Sequence, residues 1–312
     1  MSVTVIIAAF EAAATLARAI ASALADPEAS EIVVVDDCSK DETFGCARAA
    51  SQGSPRVHLI RFDRNQGPSA ARNAALAASS APFATILDAD DFVRPGRLRA
   101  LLPLMDGCDF VADDLLRVEE GREDSPATPM AGIAKAVDLS FTDFILANVP
   151  DPARPRGELG FLKPVMRRAF LQRHGLAYDE RIRLGEDYDL YARALASGAR
   201  FQIVPAQGYI SVVRAGSLSG RHSIDDLARL RDVDDRLLSD FQLDAAARAA
   251  VRRHRVSTDK RLQWRRVIDA WKGRDALGFA RPFFAGPEVA GHLAGQLWRD
   301  VETRILRRGE AA

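Results

Sequence analysis

Apolar residues in the first hundred positions fall into short, nearly continuous runs, separated by polar turns and segments of helical period. The runs at 3–8, 31–36, 57–61, 83–87 and 108–112 read as strands; 12–25, 43–51, 68–79 and 95–105 read as helices. Strands that are apolar on successive residues have both faces covered, the mark of a buried parallel sheet. Their alternation with helices predicts a doubly wound α/β sheet. In such sheets ligands bind beyond the carboxyl ends of the strands. Residues 119–135, with Pro126 and Pro129, read as a loop, and so do 149–160, with three prolines, Arg154 and Arg156. A helix is predicted over 188–197. Past Arg214 the pattern turns helical, with breaks near Gly273, Pro282 and Pro287.

Composition narrows the class only a little. At 312 residues the chain has room for one large core or two domains. Its 43 basic and 43 acidic residues cancel, so net charge gives no argument for nucleic acid. Cys38, Cys46 and Cys108 have no metal-ligand spacing and are expected to be free thiols. Residues 3–25 are apolar enough to suggest a signal peptide or a span, but Glu11 and Arg18 interrupt them and no cationic segment precedes them. The expectation is a cytoplasmic protein, with peripheral attachment to the inner face of the plasma membrane still open.

Two acidic clusters fall where the strands end. Asp36 and Asp37 follow 32–35, with Ser39 and Asp41 placed to cap the next helix. Asp88, Asp90 and Asp91 follow the fourth strand. Carboxylates gathered at one sheet edge repel unless a cation sits among them. Mg²⁺ or Mn²⁺, which bind through one or two carboxylates plus substrate phosphates, would serve. Asn65-Gln66-Gly67-Pro68 turns into a helix carrying Arg72, an arrangement suited to an anionic ligand. Glu186 and Asp187 open the 188–197 helix, where acidic residues also occur simply as dipole partners.

Taken in order, Val5 to Glu11, Val35 to Asp41, Asn65-Gln66-Gly67 with Ala71-Arg72-Asn73, Leu87 to Asp91 and Gly185 to Tyr188 resemble the family-2 glycosyltransferases of GT-A fold. The resemblance spans about 3–220. It implies a catalytic domain over 1–220, with a nucleotide-sugar half at 1–115 and an acceptor half at 116–220, and a helical extension over 221–312. It also implies roles. Ala8, Phe10, Glu11, Asp36, Asp37, Gly67, Arg72, Asp88, Ala89 and Asp90 would contact or shape the donor site. Asp90 and Asp91 would bind Mg²⁺ or Mn²⁺, Asp187 would be the catalytic base, and Glu186 its neighbour on the acceptor side. Phe10-Glu11 departs from the aromatic–Asn pair usual there, and Cys38 from a common Gly. Arg214, Arg221 and His222 lie where the family often carries a loop that closes over the diphosphate. The implied reaction is inverting transfer from a nucleotide sugar, UDP-glucose first, to a glycan hydroxyl. The compact form and basic tail are similar to bacterial enzymes that build exopolysaccharide repeat units on a polyprenyl diphosphate, succinoglycan-type systems included.

Between Arg248 and Arg274 ten Lys or Arg stand against two Asp, interleaved with Trp264 and Trp271. Such a segment suits an anionic membrane surface; no motif supports nucleic acid. Packing of the aromatics inside a helical unit is the alternative, and oligomerisation is left open. Other functions fit worse. A receiver domain carries its acidic pair after the first strand, a dinucleotide oxidoreductase needs Gly-x-Gly-x-x-Gly there, and a glycosidase needs no nucleotide site. An inactive sugar-nucleotide-binding scaffold protein remains the rival reading.

Overall fold

A computed structural model describes residues 2–123, 125–150, 158–214 and 222–309. The chain begins with β1 (Val3–Ala9), α1 (Leu16–Leu24), β2 (Ala29–Asp36), α2 (Thr43–Ala50), β3 (Val57–Arg61), α3 (Pro68–Ala77) and β4 (Phe83–Ile86). There follow β5 (Phe92–Val93), α4 (Arg97–Leu101), β6 (Phe110–Asp113), β7 (Leu116–Glu119), β8 (Thr128–Pro129), β9 (Val137–Asp138) and α5 (Phe141–Ala147). Next come β10 (Val165–Arg167), α6 (Arg168–Arg173), α7 (Glu186–Ala196), β11 (Phe201–Val204) and β12 (Tyr209–Val213). Residues 1–220 form one compact unit and 221–312 a second.

The first unit is an α/β fold built on an eight-stranded, mostly parallel sheet in the order β3-β2-β1-β4-β10-β6-β11-β9. The four strands β1 to β4 run parallel to one another, while β10 runs antiparallel to both β4 and β6. One sheet therefore crosses the expected division at 115/116, because β10 from the later half sits between two strands of the earlier one. A smaller sheet, β5-β12-β7-β8, takes part of the expected 119–135 loop as β8.

Helix boundaries depart from the periodicity for local reasons. Leu16, Ala19, Ile20 and Ala23 give α1 a buried stripe, but it starts later than residue 12. The Ala12 and Ala13 N–H groups donate instead to Thr43 Oγ1 at 2.8 Å and Asp41 Oδ2 at 3.2 Å, so side chains from the next loop hold that turn. Ser39 does not cap α2; its Oγ accepts the Glu11 N–H at 2.9 Å. The 95–105 segment divides into α4 and a 3-10 turn over 102–105, where Pro103 lacks an N–H. At α3, Gly67 takes φ +91° and Pro68 occupies the first helical position.

The second unit holds α8 (Ile224–Asp240), α9 (Ala245–Lys272), α10 (Ala276–Ala280) and α11 (Pro287–Gly309). Ser223 and Asp226 make a reciprocal capping box on α8, and Asp244 caps α9. Buried His254 on α9 meets Asp234 of α8 at 2.8 Å. Trp264, Phe279 and Phe283 pack on Val267, Val289 and Leu293, so Trp264 and these phenylalanines belong to the packing inside the helical unit. Among the described residues no helix is long and apolar enough to cross a membrane.

Candidate active site

Because β1, β2 and β4 are parallel neighbours, residues 8–11, 36–41 and 88–91 leave the sheet at one edge. Asp36 is buried there; its Oδ1 accepts the Ser39 N–H at 3.0 Å and its Oδ2 lies 3.2 Å from Arg61 Nε. Asp37, expected to contact or shape the donor site, is engaged with the turn that follows β3. Its two oxygens accept the Gln66 N–H at 2.6 Å and the Gly67 N–H at 2.8 Å, so it shapes the turn before α3. Ala8 is half-buried at the end of β1, and Phe10 is half exposed beyond it. The two departures noted in the sequence carry a backbone signature. Glu11 sits at φ +51° and Cys38 at φ +63°, the left-handed region that suits Asn and Gly. Glu11 is held by Ser39 and by the Lys40 N–H, which donates to its Oε1 at 2.9 Å.

The 88–91 turn divides its carboxylates. Asp91, expected beside Asp90 as a metal ligand, is buried, Oδ1 accepting the Val212 N–H at 2.8 Å and Oδ2 the Tyr209 hydroxyl at 3.0 Å. Burial, with Asp88 and Asp90 alongside, pushes its carboxyl well up from the usual range. Ala89 is buried between. Asp90 is the open group: its side chain is 44% exposed, with Arg214 approaching only to 3.9 Å. Burial and the charge of Asp88 push Asp90 up, against Arg214. A carboxylate so placed is relieved by a cation. Among the described residues no group of three or more His, Cys, Asp or Glu is arranged to hold a metal. One open carboxylate is the protein share expected of a divalent-ion site that substrate phosphates and water would complete.

Glu186 and Asp187 start α7 behind Gly185, which adopts φ +84°. Arg72, expected to touch the donor, is 4% exposed and spans the cluster. Its guanidinium lies 2.6 Å from Glu186 Oε1, 3.0 Å from Asp187 Oδ1 and 3.2 Å from Asp88 Oδ1. Burial pushes Glu186 up, Arg72 opposes it, and the charge of Asp187 adds to the rise. For Asp88, burial works against the charge, but Lys163 and Arg72 pull its carboxyl below the usual range.

Three residues here have no counterpart in the sequence reading. Lys163, just before β10, lies 2.6 Å from Asp187 Oδ2 and 3.0 Å from Asp88 Oδ2. Tyr178 donates to Asp187 Oδ1 at 3.2 Å; burial and the Asp187 charge push its hydroxyl well up, so it stays a donor. Asn73 places it, Oδ1 accepting the Tyr178 N–H at 3.0 Å while Nδ2 donates to its carbonyl at 2.9 Å. Tyr209 also accepts the Asp88 N–H at 3.1 Å. The signal for Lys163 was a single Lys in the apolar run 161–166, a charge that must find a buried partner. Of the expected loop residues, Arg214 meets Asp90 and Glu120, His222 opens the second unit, and Arg221 lies outside the described residues, as do 151–157 of the proline loop.

Residues 4–149 match the model for Glycosyl transferase family 2. The succinoglycan biosynthesis protein ExoU of Rhizobium meliloti (strain 1021) is 48% identical over 320 residues, covering 99% of this chain and 91% of ExoU. ExoO of the same organism is 36% identical, covering 94% and 84%. Among solved structures, S. aureus TarS 1-349 in complex with UDP-GlcNAc aligns with TM-score 0.66 at 16% identity over 90% of each chain. The Pyrobaculum calidifontis mannosyltransferase PcManGT, in complex with GDP-Man and Mn²⁺, aligns with TM-score 0.58 at 18% identity, over 96% of this chain and 80% of its own. With an Asp-rich turn beyond β4 and an acidic pair at the head of α7, on a mostly parallel sheet, the chain belongs to the family-2 glycosyltransferases and has their GT-A fold.

Proposed function

We propose that the chain is an inverting hexosyltransferase that moves a sugar, glucose from UDP-glucose in first place, onto a glycan hydroxyl in exopolysaccharide assembly. The observation that carries this reading is the bridge Asp88–Lys163–Asp187, which brings a donor-side carboxylate and an acceptor-side carboxylate onto one lysine. Asp187 takes the proton of the acceptor hydroxyl as that oxygen attacks the anomeric carbon. The bond to the diphosphate breaks and its electron pair leaves with the nucleotide, so an α-linked donor yields a β-glycoside. Asp90 would hold Mg²⁺ or Mn²⁺ with the donor's phosphates, where the ion, when bound, offsets charge on the leaving group. Exopolysaccharide as the product class draws support from the names of ExoU and ExoO, UDP from the TarS complexes, and the metal from the PcManGT complex.

The test is thermal unfolding against UDP, GDP and their sugars with Mn²⁺ or EDTA, on the wild type, Asp90→Asn and Asp187→Asn. A ligand at one hundred times its Kd stabilises by about 2.7 kcal/mol. A UDP shift is expected in the wild type with Mn²⁺, lost in EDTA and in Asp90→Asn, and retained in Asp187→Asn, which loses turnover. No shift with any nucleotide would overturn the donor site; unchanged turnover in Asp187→Asn would remove the base. Turnover absent from the wild type, with binding intact, would favour a sugar-nucleotide-binding scaffold.

The same reading puts the acceptor on a polyprenyl diphosphate at the inner face of the plasma membrane. Its support is in the second unit, where Trp271, Leu277, Phe284 and Trp298 are 66–86% exposed beside exposed Lys272, Arg274 and Arg281. Apolar side chains interleaved with cations suit an anionic bilayer surface. The protein is expected to float with anionic vesicles, and a Trp271/Leu277/Phe284→Ser variant to lose that. A wild type that stays unbound would refute the membrane contact.

A further inference from the structure

Of the five lysines, all among the described residues, Lys163 alone is buried, 6% exposed at the side chain, and its backbone is fixed from both sides. The Leu162 carbonyl accepts the Tyr191 hydroxyl at 3.0 Å, and the Lys163 carbonyl accepts Arg97 Nη2 at 2.5 Å. Arg97 is in turn paired with Asp113 at 2.8 Å inside the core. Pro164 restricts Lys163 to extended backbone. The antiparallel register Val165↔Thr85 brings the segment back along β4, so that Lys163 falls beside the residues leading into Asp88. This is a built position, held by three other elements.

Its consequence for Asp187 follows from counting acceptor sites. A carboxylate offers about four lone-pair directions. On Oδ1, Arg72 and Tyr178 take two; on Oδ2, Lys163 takes one. The direction left over lies on Oδ2, beside the lysine. We propose that Lys163 is a positioning residue for the transfer step: it turns Asp187 so that the remaining lone pair of Oδ2 receives the acceptor hydroxyl, and through Asp88 it ties that orientation to the donor side. Arg72 and Tyr178 fix the other oxygen, so removing the lysine frees one half of the carboxylate only. Lys163 itself neither gives nor takes a proton in the reaction; burial works against its charge, but Asp187 and Asp88 outweigh this and push its pKa up, so it stays an ammonium.

The inference rests on Asp187 as the base, and the experiment separates the two ideas. Lys163→Met, Lys163→Arg, Asp187→Asn and the Lys163→Met/Asp187→Asn double variant are assayed for transfer with donor and acceptor varied, and for donor hydrolysis without acceptor. Thermal unfolding reports on folding. Lys163→Met is expected to lose about 10²-fold in transfer kcat, within the range for a positioned acid or base. Donor KM should change less than threefold, donor hydrolysis should persist, and Lys163→Arg should recover at least about tenfold. In the Asp187→Asn background, adding Lys163→Met should cost nothing further, since a group acting through another is non-additive with it. Wild-type transfer in Lys163→Met overturns the proposal. So does a loss additive with Asp187→Asn, or a loss shared equally by donor KM, hydrolysis and transfer. Should Lys163→Met fail to fold, a Lys163→Arg variant with full donor affinity and no gain in transfer over Asp187→Asn overturns it as well. Full turnover in Asp187→Asn removes the base instead and leaves Lys163 with no group to position.

Discussion

Removing one oxygen atom tests the division of labour in the 88–91 turn. The Tyr209 hydroxyl is buried, donates to Asp91 Oδ2 at 3.0 Å and accepts the Asp88 N–H at 3.1 Å. In Tyr209→Phe the buried Asp91 carboxylate keeps only the Val212 N–H, and the Asp88 N–H loses the acceptor it has here. A buried polar group left without its partner costs about 1–3 kcal/mol. With some relaxation, about 2–4 kcal/mol is expected for the pair. In a unit of this size each kcal/mol moves Tm by about 2–4 °C, so a fall of about 4–16 °C should appear in thermal unfolding. The turn also carries Asp90, so Mn²⁺-dependent UDP binding, measured by calorimetry at a temperature where the variant is folded, should weaken by about tenfold. A Tm within 1 °C of wild type would refute the claim that Tyr209 holds the turn. A normal Tm with weakened binding would instead make Asp91 or Tyr209 a ligand contact.

Two further outcomes follow from the donor half. Glu31 accepts bonds from Thr4, from the Ser80 hydroxyl and N–H, and from the Ala81 N–H; burial works against its charge, yet these bring its pKa to about 2. A depressed carboxyl contributes stability that is complete above its unfolded value near 4.5 and lost as pH falls toward 2, at most about 3 kcal/mol and less after solvent screening; urea unfolding from pH 6 to pH 2.5 should show this loss in the wild type and a flatter profile in Glu31→Gln. Cys38→Gly should raise the urea midpoint by the equivalent of about 0.5–1 kcal/mol, because relief of left-handed backbone at φ +63° exceeds the entropy that Gly adds to the unfolded chain; a lowered midpoint would show that the residue is not strained there.

The parallel part of the sheet was legible because apolar runs and the acidic residues behind them obey one rule: in parallel strands every carboxyl end meets the same edge. That rule reached Asp36, Asp37, Asp88, Asp90 and Asp91 together. It was blind to Lys163, which lies at the amino end of β10, the strand that runs the other way and so reaches that edge from the opposite direction. Arg72 was found but its carboxylate partners were not, since a guanidinium suits a phosphate and a carboxylate alike and only the fold brings α7 beside α3. Asp90 and Asp91 are indistinguishable as letters. What separates them is contact with Tyr209 and Val212, about 120 residues later, which no local pattern encodes.

The place of β10 also bears on how such enzymes can be recombined. Residues 165–167 complete the sheet that begins with β1, and the lysine just ahead of them is set by Arg97 and Asp113 from the earlier half. On the proposed reading, acceptor preference is therefore not a cassette to be exchanged at a single joint near residue 116. A chimera cut there would import a foreign strand into the middle of the host's sheet, and with it a foreign side chain between Asp88 and Asp187. Grafts that keep 162–167 with the first 115 residues, and exchange only the segments on either side, preserve that continuity. In this chain the unit of inheritance is interlaced, and a change of acceptor is expected to arise by substitution around a retained β10 more readily than by transplanting one half.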